Sequence, residues 1–285
     1  MHRAVLQWYA VAGRDLPWRE PSCSPWGVFV SEVMAQQTPI ARILPAWQAW
    51  LRRWPTPADL AAAPVGEAIR AWDRLGHPRR AVNLHAAARA MVERHDGHVP
   101  SDPEELRALP GVGDYTAAAV SSFAFGNPLV VIDTNVRRVL VRIALGQAQA
   151  APSLTKAERE LAATWQPRAR SDANAWNVAA MELGALVCTA RAPRCSGCPV
   201  AALCAWHQAG NPAYDGPARG GQGYEGTDPQ LRGRILALLR AADHRLEPAL
   251  IEALDPDPER VRRLVGALAR EGLLEHSRSG YHLPR

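Results

Sequence analysis

Apolar residues in this chain recur mainly at helical spacing. Val136, Val139, Leu140 and Ile143 fall at i, i+3, i+4 and i+7, which predicts one buried helical face. Thr38-Pro39 reads as an N-cap followed by proline at the first helical position. Ser101-Asp102-Pro103-Glu104 reads as a capping box opening a short helix that ends at Leu109-Pro110. The β-branched run LVVI at 129–132 is too short and isolated to count as a strand against this background. Residues 1–208 therefore read as all-α. Residues 209–227, AGNPAYDGPARGGQGYEGT, carry Gly and Pro without an apolar period and read as a linker. Helices follow around 229–241, 247–254 and 257–271, the third burying Val261, Leu264, Val265 and Leu268. LLEHSRSGYHLP then reads as a β-hairpin turning at Ser277–Gly280. Three helices and a terminal hairpin predict a small winged-helix-like domain over 228–285. Such modules bind DNA or serve in packing.

Composition narrows the class. Apolar residues make up 47% of 285, enough for a real core, but no run of about 18 apolar residues exists to span a membrane. The N-terminus, MHRAVLQWYAVAGRDLPW, is amphipathic and lacks the continuous apolar core of a signal peptide. A cytoplasmic protein is the expectation. The net charge of +5 lies wholly in residues 1–208, with 22 Lys+Arg against 17 Asp+Glu; residues 209–285 hold 11 of each. That excess favours an anionic partner such as nucleic acid, although +5 is ordinary for this size. Lys156 is the sole lysine, so it is the one side-chain amine available as a nucleophile.

Four of the five cysteines, Cys188, Cys195, Cys198 and Cys204, fall in CTARAPRCSGCPVAALC with spacing C-x6-C-x2-C-x5-C. A disulfide framework does not suit a cytosolic chain of this size. Zinc sites usually pair two CxxC units or combine Cys with His, and only one CxxC occurs here. Four thiolates in a short loop suit a [4Fe–4S] cluster, with zinc as the alternative. Arg191 and Arg194 lie in the first loop, where they either face phosphates or are merely solvated. Cys23 stands apart.

Residues 109–120, LPGVGDYTAAAV, join two predicted helices. Gly111 and Gly113 permit positive φ and close backbone approach, and Asp114 can cap the helix that follows. Free N–H groups there, with Val112 between the glycines, would clamp an anion without reading sequence. A lone GxG is more often an ordinary turn. Glu32 sits in SEVMAQQT among apolar residues, and Asp133 in VIDTNVRR precedes a helix. Taken singly, the first is a solvated glutamate and the second a cap.

Together these motifs resemble a known family. The cysteine spacing is similar to that of the helix-hairpin-helix DNA glycosylases of the endonuclease III superfamily. LPWRE (16–20), SEVMAQQT (31–38), the LG…NLH segment (75–85), LPGVGDYT, VIDTNVRRVL and the Cys loop closely resemble, in order, the adenine DNA glycosylases of the MutY type. The resemblance spans residues 1 to about 208. It implies a mainly α helix-hairpin-helix fold, with a six-helix layer at about 25–130 and an iron–sulfur layer from 1–24 plus 131–208. It implies excision of adenine mispaired with 8-oxoguanine or guanine in double-stranded DNA, by a monomer with no small-molecule cosubstrate. Glu32 matches the acid that protonates the purine, and burial would raise its pKa for that task. Asp133 matches the carboxylate that stabilises the cationic sugar, following two-carboxylate glycosidase logic. Gln37 matches the intercalating glutamine beside the extruded base. Arg19 and Asn135 match residues lining the adenine pocket.

The match has departures. His77-Pro78 stands where the family commonly has two tyrosines, so the wedge beside the opposite base is smaller. Asp133-Thr134-Asn135 replaces an aspartate-glycine-asparagine. The usual strand-rich C-terminal domain that reads 8-oxoguanine is replaced by the predicted winged helix. Rival readings are a thymine or uracil mismatch glycosylase of the same superfamily and a non-enzymatic iron–sulfur DNA sensor. A combined glycosylase and lyase would need a lysine after the hairpin, where Tyr115 stands, so hydrolysis without strand cleavage is expected.

Overall fold

The computed structural model describes residues 1–216, 223–277 and 280–285, and of residues 170 and 171 the backbone alone. Helices dominate. In chain order they are α1 (His2–Ala12), α2 (Pro25–Ala35), α3 (Ile40–Arg53), α4 (Pro57–Ala62), α5 (Val65–Trp72), α6 (Arg79–Arg94), α7 (Pro103–Arg107), α8 (Asp114–Phe125), α9 (Thr134–Leu145), α10 (Lys156–Thr164), α11 (Arg170–Leu186), α12 (Ala205–Gln208), α13 (Asp228–Ala241), α14 (Pro248–Glu252) and α15 (Pro258–Arg270). Among the described residues the strands are β1 (Glu275–Ser277) and β2 (Gly280–His282), paired antiparallel. The expected hairpin is therefore present, but its turn falls on residues 278–279, outside the described residues, as does part of the expected linker.

The chain condenses into two compact units. One comprises Met1–Val28, Ser101–Arg107 and Val112–Ala218; the other comprises Phe29–Pro100, Ala108–Gly111 and Arg219–Arg285. The core of the first gathers Val5 of α1, Val136, Val139, Leu140 and Ile143 of α9, Trp176 and Leu183 of α11, and Trp206 of α12. The stripe predicted on α9 is thus the buried one. α9 and α11 meet closely at Gly184, where a Cβ would lie 2.6 Å from Asn135 Cβ. α9 stops at Gly146, whose left-handed conformation (φ 65°) closes the helix end.

In the second unit, α4 and α5 pack on α6. Trp50 stacks edge-on against Trp54 and Trp72 at centroid distances of 4.7 and 5.8 Å. Helices α13 to α15 bury Leu231, Ile235 and Leu239 of α13, Ile251 of α14, and Val261, Leu264 and Leu268 of α15. Leu246, between α13 and α14, pairs with Tyr281 of β2 through backbone bonds of 2.8 and 2.9 Å. That bridge supplies the short first strand of a winged-helix arrangement. The module docks on α5 within this unit. Arg70 donates to the carbonyls of Arg240 and, at 3.1 Å, Ala242 at the end of α13. Arg240 returns a bond of 3.0 Å to the Ile69 carbonyl near the end of α5. Each arginine thus satisfies carbonyls at the C-terminal end of the other's helix. At the start of α5 the Gly66 N–H donates to the Pro284 carbonyl at 2.9 Å.

Local cap signals were partly redirected by tertiary partners. The N-cap of α3 is Pro39, not Thr38. Thr38 instead donates its hydroxyl to the Leu75 carbonyl at 3.1 Å. At α7 it is Asp102, not Ser101, that accepts from the backbone N–H groups of Glu104 and Glu105, and the helix ends at Arg107.

The tail contact makes a stability prediction. A Cβ on Gly66 would stand 2.3 Å from the Pro284 oxygen. Gly66→Val should cost about 1–3 kcal/mol by overpacking and expose the C-terminal tail. Thermal melting and limited proteolysis check this; an unchanged melting temperature with unchanged tail cleavage would refute the docking.

Candidate active site and iron–sulfur loop

The second unit holds Glu32, Gln37, His77 and Gly111. Glu32 lies on α2 between Ser31 and Val33, and is only 7% exposed. Gln37 follows the end of α2 and is exposed, with φ 57°. His77 precedes α6 and is exposed, with φ 45°. Left-handed backbone is uncommon for such residues and is held only where the surroundings impose it. Gly111 has φ 76°, and a Cβ there would fall 2.6 Å from Asn83 Cβ, so both conformation and space require glycine.

The first unit holds the remaining predicted residues. Val112 is buried, and Gly113 is an extended N-cap (φ −102°) with open space around it rather than a positive-φ residue. The N-cap of α8 is Gly113, and Asp114 pairs with Arg107 at 3.0 Å. Tyr115 is half-buried in the first turn of α8.

Asp133 is the N-cap of α9. Its Oδ1 accepts from the Val136 N–H at 2.6 Å and its Oδ2 from Asn135 Nδ2 at 2.7 Å. Burial pushes the Asp133 carboxyl above its ordinary range, while these hydrogen bonds and the Arg138 charge oppose the rise. Asn135 Oδ1 in turn accepts from Arg138 at 2.7 Å. Arg138 also donates to the carbonyls of Gly184 and Cys188, each at 2.7 Å. A continuous chain of hydrogen bonds therefore joins Asp133 to the backbone of the first cysteine.

Arg19 meets Glu182 of α11, which sequence reasoning missed. Glu182 is 1% exposed and accepts from Arg14 through several bonds and from Arg19 at 3.0 Å. Burial alone would raise the Glu182 carboxyl, but the Arg14 and Arg19 contacts outweigh it and hold it at about 2. Arg19 Nη1 is buried and lacks a hydrogen-bond partner. The missed signal is Glu182 itself, a charge between Ala179 and Leu183 on a helix that is otherwise apolar there.

The four loop cysteines line one cavity with Val139 and Trp206, about 360 Å³ including the part open to solvent. Among the described residues no group of His, Cys, Asp or Glu is arranged to hold a single metal ion. Burial and the neighbouring thiols push the Cys195 and Cys198 thiols up, so four thiolates need positive charge among them. Beside them Arg142 is 2% exposed, stacks over Trp206 at 4.4 Å, and donates to Cys188 Sγ at 3.4 Å and to the carbonyls of Ala148 and Thr189. No carboxylate pairs with it among the described residues. Four thiols lining one cavity and a buried cation in need of an anion fit an anionic thiolate cluster. Arg191 and Arg194 are exposed on the same loop.

This helical fold, with its hairpin and cysteine loop, is that of the helix-hairpin-helix DNA glycosylases. Residues 30–167 match the HhH-GPD superfamily base excision DNA repair protein, and residues 188–204 the iron-sulfur binding domain of endonuclease III. The chain is 49% identical over 268 residues to the adenine DNA glycosylase of Mycobacterium tuberculosis, covering 93% of this chain and 87% of that one. It is 45% identical over 277 residues to that of Mycolicibacterium smegmatis, covering 97% and 93%. A solved thermostable thymine-DNA glycosylase superposes with a TM-score of 0.65 at 27% identity, covering 73% of this chain and 95% of that one. The chain belongs to the adenine DNA glycosylase family. It is a DNA-binding base-excision repair enzyme whose Cys188, Cys195, Cys198 and Cys204 loop is a [4Fe–4S] site. No helix among the described residues is long and apolar enough to cross a membrane.

The Glu182 pair sets a pH dependence. Its folded pKa of about 2 lies below the ordinary 4.5, so its stabilisation is complete above about pH 4.5 and is lost as pH falls toward 2. At neutral pH this amounts to about 2–3 kcal/mol. Urea midpoints of the protein and of Glu182→Gln should differ most at neutral pH and converge in acid. A constant gap would show that the pair carries no such linkage.

Proposed function

We propose that this enzyme removes adenine mispaired with 8-oxoguanine or guanine in double-stranded DNA by hydrolysing the N-glycosidic bond, without an efficient lyase step. The observation that carries this reading is the treatment of two carboxyl groups. Glu32 is withdrawn from water on α2, which favours a neutral acid able to protonate the purine. Asp133 accepts two hydrogen bonds that favour its ionised form and partly offset the burial that raises its carboxyl, the form a cationic sugar would call on. Asn135 orients Asp133, and Tyr115 hydrogen-bonds near the sugar. Arg19, with its idle buried donor, serves the base pocket. Gln37 and His77 enter the duplex beside the extruded base.

The remaining contacts are to phosphate. α8 opens on Gly113, with open space around it, which suits Gly111, Val112 and Gly113 as a main-chain anion clamp. Arg191 and Arg194 face the DNA backbone from the cysteine loop, which the cluster holds together. Residues 1–208 form the glycosylase core and 228–285 an accessory domain, and the enzyme acts as a monomer.

A panel of duplexes tests the substrate: A:8-oxoguanine, A:G, A:C, T:G and U:G under single-turnover conditions. Adenine should be released fastest. Faster release of thymine or uracil would favour the alternative suggested by the thymine-DNA glycosylase neighbour. Glu32→Gln should lower excision by at least about a thousandfold while leaving duplex affinity within about threefold. Retained activity would mean the acid is misassigned.

The absence of lyase chemistry has its own check. Tyr115 occupies the position after the hairpin, and Lys156 is 91% exposed on α10 beside Glu160. Borohydride should trap no more enzyme on DNA than it does for Lys156→Ala; efficient imine trapping would refute the monofunctional reading.

A further inference from the structure

Two loops that this reading sends into DNA close on one buried arginine. Gln37 lies in the loop between α2 and α3, and His77 in the loop between α5 and α6. Both have left-handed backbone, at φ 57° and 45°. Arg80, in the first turn of α6, is 8% exposed. Its Nη1 donates to the carbonyls of Val33 and Met34, each at 3.1 Å, and to that of Gln36. Its Nη2 donates to the carbonyls of Leu75 at 3.2 Å and Gly76 at 3.1 Å, and to Thr38 Oγ1 at 3.0 Å. One nitrogen thus serves the end of α2 that leads into Gln37. The other serves the turn that leads into His77, with Thr38 joining the two through its own bond to Leu75. Trp72 backs the guanidinium at 5.2 Å and holds Gly76 through an indole bond of 2.8 Å.

The arrangement is costly unless it organises something. Arg80 makes no ion pair with a carboxylate among the described residues, and its Nε is buried without a partner. A buried cation without an anion is disfavoured, so its six acceptors must be held where they are. The planar fork can bind two sets of carbonyls at a fixed separation, which a lysine ammonium cannot. Arg80 also grips the carbonyls that directly follow Glu32 on α2.

We propose that Arg80 is a positioning residue for base extrusion: it fixes the spacing of the Gln37 and His77 loops so that both side chains enter the duplex together. This rests on the reading of Gln37 and His77 as DNA contacts.

The test uses the full-length protein and duplexes carrying 2-aminopurine, whose fluorescence rises on unstacking, in place of the target adenine. Arg80→Lys should bind matched duplex within about twofold of the parent, yet slow the fluorescence rise and single-turnover adenine release by about tenfold. Added to a Gln37→Ala/His77→Ala protein, it should cost less than about twofold more, because it acts through those two residues. Thr38→Val removes the hydroxyl shared by the two loops and should shift the same readouts by about threefold in the same direction; it keeps the test open if Arg80→Lys does not fold. Parental extrusion and excision in both variants would overturn the proposal. So would an undiminished tenfold loss in the Gln37→Ala/His77→Ala background, which would mark general destabilisation. If Gln37→Ala/His77→Ala itself extrudes and excises normally, the reading of those residues as DNA contacts fails, and this proposal falls with it.

Discussion

A guanidinium carries five N–H donors in one plane, and burying it leaves each in need of an acceptor. In this chain carboxylates often do not supply them. Arg80, Arg138 and Arg142 are satisfied largely by main-chain carbonyls at helix ends and loop turns. Carbonyls cannot move independently of the chain, so each arginine fixes the path of the segments it bonds. Arg80 does this for the turns around Gln37 and His77, and Arg138 for the junction of α9, α11 and the first cysteine. Arg142 does it for the mouth of the cysteine cavity. The rest of the site depends on these anchors, since the irregular segments beside them have little regular hydrogen bonding of their own.

The same logic bears on the two proposed catalytic carboxyls. Glu32 is buried on α2. Asp133 is also drawn from water, but a helix N-terminus and an asparagine amide meet its two oxygens. Hydrogen bonds to the charged form and the positive end of α9 oppose the cost of burial. Asn135 can do this only because its own carbonyl is held by Arg138. That arginine also reaches the Gly184 carbonyl, and α11 can pass close to Asn135 there because residue 184 carries no side chain. Tuning of buried carboxyls by their surroundings is the usual basis for dividing acid and charge-stabilising roles.

Periodicity made the helical core legible. The α9 stripe and the buried face of α15 are where the spacing of apolar residues put them, because burial on one face is a local property of a sequence. The cysteine loop was legible because its four cysteines fall within one short stretch of the chain. Cap signals were less secure. Thr38, Ser101 and Asp114 each have the chemistry of a cap, but their neighbours in the chain do not reveal competing partners. Thr38 is claimed by Leu75 and Arg80, and Asp114 by Arg107. Arg80, Arg142 and Glu182 were illegible as buried groups for the same reason. In a chain this rich in arginine a charged side chain reads as solvated until its distant partners are known.

The C-terminal module shows how such partnerships extend beyond the site. Its neutral charge argues weakly against strong DNA affinity of its own. Its docking argues that it is a structural continuation of its unit. Arg70 and Arg240 exchange helix-end carbonyls, and the chain's penultimate residue seats on the first turn of α5. α5 ends at Trp72, whose ring backs Arg80 and whose indole holds Gly76. The module is therefore attached to the helix that supports the His77 turn. A domain with no charge surplus can still influence DNA engagement by stiffening the element that presents a proposed DNA contact. That role needs no recognition surface, and it is consistent with a winged-helix-like arrangement whose hydrogen bonds to the rest of its unit come from the end of α13 and the chain terminus.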